Sequence, residues 1–297
     1  MNSKKKLFIS SFLITLFCFI SFSQPLKKVK KFGKNPGALK MYIHTPKINS
    51  FIKKKPLVIV LHGCTQTANG IAAATGWNTL ADTSGFVVLY PEQRLMNNVS
   101  KCFNFFIGMK AKKDKGEVSS IKNMINYSIN EYNIDPSKIF ITGVSAGGGM
   151  SNALLNAYPE LFNAAALIGS PSTLVNDNNI TAKHIPRIAI IQGKNDKIVS
   201  HKASEKLLNQ WIAKNNFDNN NFTTTENFMN NELINAKSFY TDENILKIIM
   251  LTIKNVGHKI LIDPGKNINQ GGKIGIYTKD INFHSTYWIA DFWGITN

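Results

Sequence analysis

The 297-residue chain predicts an α/β fold: one doubly wound, mostly parallel sheet with helices on both faces. Two observations predict it. Short continuous Val/Ile/Leu runs alternate with longer helix-like stretches, the βαβ order of parallel strands that are covered on both sides. A Gly-x-Ser-x-Gly sequence, Gly143 to Gly147, joins one of those runs directly to one of those stretches. Hydrophobic residues make up 43% of the chain and charged residues only 18%, which excludes a disordered polymer and requires a packed core.

The first element is a leader. Lys4, Lys5 and Lys6 precede an apolar run from Leu7 to Phe22, and small residues stand at Ser21 and Ser23. This is the pattern of a secretory signal peptide, cleaved between Ser23 and Gln24, so residues 1–23 are the leader and 24–297 a single domain. The run is shorter than the ~20 residues that a bilayer span needs, so no stable membrane insertion is expected after cleavage. Cys18 lacks the small residues before it that a lipoprotein signal carries. Export to the periplasm or the medium leaves Cys64 and Cys102 as an even pair in an oxidising compartment, and one disulfide is the simplest expectation. Two cysteines without a CxxC or paired histidines do not make a zinc site.

Strands are predicted at Leu39–His44, Pro56–Leu61, Phe86–Tyr90, Lys138–Gly143, Ala164–Gly169, Arg187–Gln192 and Lys247–Ile253. Helices are predicted near Gly70–Thr83, Glu117–Tyr132, Ala146–Ala157, His201–Lys214 and Phe283–Phe292. The asparagine-rich segment Asn215–Asn244 is weakly periodic and reads as a surface loop or insertion. Length alone would allow two domains, but one continuous βαβ series uses the whole of 24–297.

A formal net charge of +17 raises the question of a polyanion partner. Arg94 and Arg187 are the only arginines. Lysine supplies a point charge without the bidentate fork that reads phosphates and base edges, so no nucleic-acid partner is expected. A basic, non-catalytic polyanion-binding surface protein stays as the alternative from another class.

The chemistry points elsewhere. Ser145 sits where a strand turns sharply into a helix, so its hydroxyl can project above the sheet while the flanking glycines relieve the tight turn. The backbone N–H of Ala146, at the helix N-terminus, faces a developing oxyanion. Leu61-His62-Gly63-Cys64-Thr65-Gln66 follows another strand and offers a second N–H, from Cys64 or Thr65. His62 either lines the cleft or packs beneath this loop. A serine nucleophile requires a base oriented by a carboxylate, in the chain order Ser, Asp or Glu, His. Asp196 follows the strand Arg187–Gln192 and His258 follows Lys247–Ile253, so both emerge at the same sheet edge as Ser145. His44 and His62 precede the serine, His184 precedes the acid's strand, and His201 and His284 fall on predicted helices.

These residues lie in blocks that resemble the poly(3-hydroxybutyrate) depolymerase family of esterases, α/β hydrolases related to feruloyl and acetylxylan esterases. The blocks are Pro56 to Gln66 (PLVIVLHGCTQ), Phe86 to Gln93 (FVVLYPEQ), Cys102 to Phe106 (CFNFF), Asn133 to Gly149 (NIDPSKIFITGVSAGGG) and Tyr158 to Ala166 (YPELFNAAA). The likeness implies the α/β-hydrolase fold, the triad Ser145, Asp196 and His258, a Cys64–Cys102 disulfide and no metal or organic cofactor. It places the second oxyanion donor in the Cys64 region and makes His62, Thr65, Gln66, Asn104 and Phe105 cleft candidates. The implied partner is an ester: a hydroxyalkanoate ester or oligomer, or alternatively a feruloyl or acetyl ester of plant polysaccharide. The chain departs from the family where Lys259-Ile260 replaces Ala-Trp after His258 and where Phe103 and Phe105 replace tryptophans, so the cleft's aromatic wall is expected to differ. No length is left for an appended polymer-binding domain, which favours soluble or amorphous esters. The oligomeric state is not legible.

Overall fold

The computed structural model describes residues 26–47, 54–172 and 184–296; the expected leader lies outside them. The apolar runs become a sheet because each buries side chains on both of its faces. Its strands are β1 (Lys27–Val29), β2 (Lys40–His44), β3 (Lys55–Leu61), β4 (Val87–Glu92), β5 (Ile134–Val144), β6 (Ala164–Ile168), β7 (Arg187–Gly193), β8 (Thr223–Thr225), β9 (Ile234–Tyr240) and β10 (Leu246–Ile253). Their order across the sheet is β1-β2-β4-β3-β5-β6-β7-β10-β9-β8. From β4 to β10 all neighbours run parallel. Antiparallel pairs finish both edges.

Alternation along the central strands splits the core into two layers. Leu57, Ile59 and Leu61 of β3 face one layer with Ile139 and Ile141 of β5, covered by α4 (Gly116–Glu131), α5 (Ala146–Ala157) and α6 (His201–Lys214). Val58 and Val60 face the other with Phe140 and Ile191, covered by α1 (Ala68–Thr75), α2 (Trp77–Ser84) and α7 (Ser285–Trp293). The α3 turn, Gly108–Ala111, packs beside α4. Trp293 of α7 stacks on Trp77 at 5.5 Å and on Phe140 at 5.1 Å, which anchors the C-terminal helix to the second layer.

Two expectations are corrected. The single helix over Gly70–Thr83 is two, because Gly76 adopts φ +77°, ends α1 and starts α2 in a new direction. The loop expected over Asn215–Asn244 contains β8 and β9. In β9, Ile234, Ala236, Ser238 and Phe239 are buried. Small and polar residues among them flatten the hydrophobic alternation, and β8 is three exposed threonines, so this edge carried little periodic signal. A further pair, β11 (Ile260–Ile262) and β12 (Thr278–Asp280), flanks an irregular segment beyond β10.

Candidate active site

The central feature is the junction of β5 and α5. Ser145 adopts φ +56° and ψ −122°, a region that costs a non-glycine residue about 1–3 kcal/mol and persists only when its surroundings hold it. Its N–H donates to Ile168 O at 2.9 Å, and its carbonyl accepts from Gly149 N at 3.0 Å. A Cβ on Gly147 would lie 2.3 Å from Leu61 O, so only glycine lets the first turn of α5 approach the end of β3. That approach brings the Ser145 turn against the loop that follows Leu61, where a Cβ on Gly63 would lie 3.5 Å from the Ser145 Cβ.

His258 and Asp196 meet at the carboxyl ends of β10 and β7. His258 Nδ1–H donates to Asp196 Oδ2 at 2.6 Å, and Gly169 lies against the same ring, where an added Cβ would be 3.1 Å from it. Asp196 Oδ1 accepts from the N–H groups of Ile198 at 2.8 Å and Val199 at 2.9 Å. Gln192 Nε2 donates to Oδ2 at 3.3 Å and is itself oriented by Ser204 Oγ on α6, which donates to Gln192 Oε1 at 2.6 Å. The Asp196 side chain is wholly buried while His258 keeps 15% of its side chain exposed. The carboxylate is thus fixed from four directions and presents its ring partner toward the surface.

The other histidines are engaged elsewhere. His44 contacts Asp82, His184 the Phe162 carbonyl, His201 Glu205, and His284 the Thr75 carbonyl.

The loop after β3 is held by a buried polar network. His62 is fully buried; Nδ1–H donates to Gly63 O at 2.7 Å and Nε2 accepts from Gln93 N at 3.0 Å. Burial holds its pKa below the usual histidine value. Gln93 Nε2 donates to Cys102 O and, at 2.8 Å, to Glu117 Oε1. Glu117 also accepts from Asn104 N at 2.8 Å and Asn104 Nδ2 at 2.6 Å. Its burial pushes the carboxyl pKa up despite these three bonds. A disulfide joins Cys64 to Cys102. Thr65 N–H donates to Ser100 O at 2.7 Å, whereas no acceptor among the described residues takes the N–H of Cys64.

Ser145, His258, Cys64, Thr65, Ile198 and Tyr277 open onto one cavity of about 210 Å³, which Gln66 also lines. Among the cleft candidates, His62, Asn104 and Phe105 do not reach it. His62 and Asn104 belong to the network beneath the loop, and Phe105 packs on α5, where a Cβ on Gly149 would lie 2.7 Å from its ring. Among the described residues no three His, Cys, Asp or Glu side chains cluster so as to hold a metal ion, and no helix is long and apolar enough to cross a membrane.

Sequence reasoning missed Tyr277, Gln192 and Glu117. Tyr277 comes from an irregular segment with no period to place it. Gln192 carried a faint signal, a polar residue ending an otherwise apolar strand. Glu117 looked like an ordinary acidic residue in a first helical turn.

The family described as Esterase PHB depolymerase matches residues 40–187. Over 99% of its length the chain is 30% identical to poly(3-hydroxyalkanoate) depolymerase C of Paucimonas lemoignei, spanning 77% of that enzyme. It is 36% identical to feruloyl esterase B of Talaromyces stipitatus over 50% of this chain and 41% of the relative. With acetylxylan esterase A of Aspergillus oryzae the figures are 34%, 50% and 47%, so the chain spans less than half of either of these two relatives. Among solved structures, the acetyl xylan esterase from Aspergillus awamori superposes with a TM-score of 0.71 at 24% identity, over 79% of this chain and 94% of that one. The topology and this likeness show the α/β-hydrolase fold, and the chain belongs to the PHB depolymerase family of esterases.

Proposed function

We propose that the chain is a secreted serine esterase that cleaves hydroxyalkanoate esters or oligomers through an acyl-enzyme. The observation that carries this reading is the 2.6 Å contact of His258 with Asp196 beside Ser145, all three at one sheet edge and the first and last of them on one cavity. His258, oriented by Asp196, takes the proton of Ser145 as the hydroxyl attacks the ester carbonyl. The N–H groups of Ala146 and Cys64 hold the oxyanion in place. His258 then protonates the departing alcohol, and water attacks the acyl-serine by the same route in reverse. Replacing Ser145 by Ala is expected to lower turnover of a short p-nitrophenyl ester by about 10⁶-fold while circular dichroism stays unchanged; retained turnover contradicts the assignment.

The hydroxyalkanoate substrate is favoured by the depolymerase relative, which matches nearly the whole chain. Feruloyl or acetyl esters of plant polysaccharide are a second reading, supported by relatives with those names that match about half of it. Initial rates on 3-hydroxybutyrate oligomers, methyl ferulate and acetylated xylan separate the two. Residues 1–23 act as the secretory leader of a single catalytic domain, 24–297. Amino-terminal sequencing of exported protein should begin at Gln24, and a mature protein beginning at Met1 contradicts export through this leader.

A further inference from the structure

Six of the fifteen large hydrophobic side chains that are exposed among the described residues fall within residues 94–109. Leu95, Met96 and Val99 stand on the loop after β4, and Phe106, Ile107 and Met109 on the turn into α3. Met96 is 90% and Val99 88% exposed, so neither contributes to the core. Single exposed hydrophobics are ordinary, but a concentration of them marks a surface that meets something else.

The two stretches are held side by side. Asn98 Nδ2 donates to Asn104 Oδ1 at 3.1 Å, and Ile107 N donates to Asn104 O at 3.1 Å. Asn97 Nδ2 ties the loop to Gly37 O at 2.8 Å. The Cys64–Cys102 disulfide and the Thr65–Ser100 hydrogen bond join both stretches to the loop that lines the cavity at Ser145. The exposed side chains therefore stand on a fixed base beside that cavity.

The same surface is cationic. Residues 94–115 hold six basic side chains, Arg94, Lys101, Lys110, Lys112, Lys113 and Lys115, against the single acid Asp114. Asp114 is already engaged: Oδ1 accepts from the Tyr158 hydroxyl at 2.9 Å and from Lys122 Nζ at 3.4 Å. Among the described residues, the one ion pair made by any of the six joins Lys113 to Glu160 at 4.0 Å. An uncharged polymer surface would match the apolar side chains and leave the cations without partners. A polyanionic polysaccharide would match the cations and leave the apolar side chains in water. A bilayer with anionic headgroups satisfies both, because apolar side chains enter the boundary between headgroups and acyl chains while lysines remain among the phosphates.

We propose that residues 94–115 form a peripheral docking surface for a bilayer with anionic headgroups. The protein lies on such a membrane without spanning it, with the Ser145 cavity beside the contact. This surface is independent of the chemistry assigned to Ser145.

The test is co-sedimentation of the exported protein with phosphatidylcholine vesicles, with and without phosphatidylglycerol. Binding is expected to require phosphatidylglycerol and to fall as salt rises. Lys112→Gln with Lys115→Gln should weaken it about ten- to thirty-fold, the worth of two cations at the surface. Met96→Ser with Met109→Ser should weaken it about ten-fold or more. All four side chains are exposed, so both pairs should melt like wild type. Lys202→Gln with Lys206→Gln removes the same charge from α6 and should leave binding within about two-fold. Absence of a preference for phosphatidylglycerol, or equal weakening by the α6 pair, overturns the proposal. A methionine pair that binds like wild type also overturns it, and assigns the surface to a purely electrostatic partner such as an anionic polysaccharide.

Discussion

The cavity at Ser145 has two walls built in opposite ways. The wall formed by residues 62–66 and 98–104 is stapled by the Cys64–Cys102 disulfide and rests on the buried chain His62–Gln93–Glu117–Asn104. The other wall, around Ile198 and Tyr277, is more open: Ile198 is 73% and Tyr277 38% exposed. The contrast follows the work that the proposed mechanism gives each wall. Backbone N–H groups stabilise charge only when held in position before the reaction, so the Cys64 wall is fixed. Selection among esters needs only apolar area and one or two polar groups, so the Tyr277 wall can vary without disturbing the fold.

Breaking the comparison should cost most where a buried group orients the reacting ring. Asp196→Asn keeps the shape but not the acceptor pattern around His258, and kcat is expected to fall about 10⁴-fold, far more than the stability loss of about 1–3 kcal/mol from an amide nitrogen that faces buried donors such as Gln192 Nε2. Next comes the staple. Replacing Cys64 and Cys102 by serine opens a link across 38 residues, and chain entropy puts the loss near ~4 kcal/mol, read as a drop in urea midpoint. An unchanged midpoint would remove the disulfide from the account of the fixed wall.

Glu117→Gln should cost about 1–3 kcal/mol, because an amide nitrogen would face the donors of Asn104 or Gln93. Its pH dependence carries a signature. The folded carboxyl titrates above its ordinary value of 4.5, so just above that pH the native state keeps a proton that the unfolded chain has lost. The stability contributed by this group is therefore present below that value and declines as pH rises through the window, whereas the amide of the variant has no proton to lose. The stability gap between wild type and variant should narrow as pH rises through the window; a constant gap contradicts a buried, titrating Glu117. The smallest effect is expected from Ile276→Ala, within about 0.5 kcal/mol of wild type, since the side chain is already in solvent.

The same contrast explains what could be read before the structure. The strands from Lys55–Leu61 to Leu246–Ile253 announce themselves as apolar runs buried on both faces, and the Ser145 junction is marked by glycines that close packing requires. Asp196 and His258 follow from chain order, because a parallel sheet delivers the ends of β7 and β10 to one edge. Three things were not legible. The β8–β9 edge is polar on one side and has little periodicity. Glu117 acts through contacts with residues 13 and 24 positions away, which no local pattern records. Tyr277 reaches Thr65 across 212 positions from an irregular segment. The placement of His62 was half legible: its motif located the loop, but burial makes it a support for the wall and not a lining of the cleft.

The central claim is that Ser145 is a nucleophile activated by the His258–Asp196 pair. Incubation of the purified protein with a fluorophosphonate ester, followed by proteolysis and mass spectrometry, tests it most directly. The account predicts one phosphonyl group per chain, on the peptide containing Ser145, with labelling slowed by several orders of magnitude in His258→Ala. Labelling of a different serine, or equal labelling rates in wild type and His258→Ala, would contradict it.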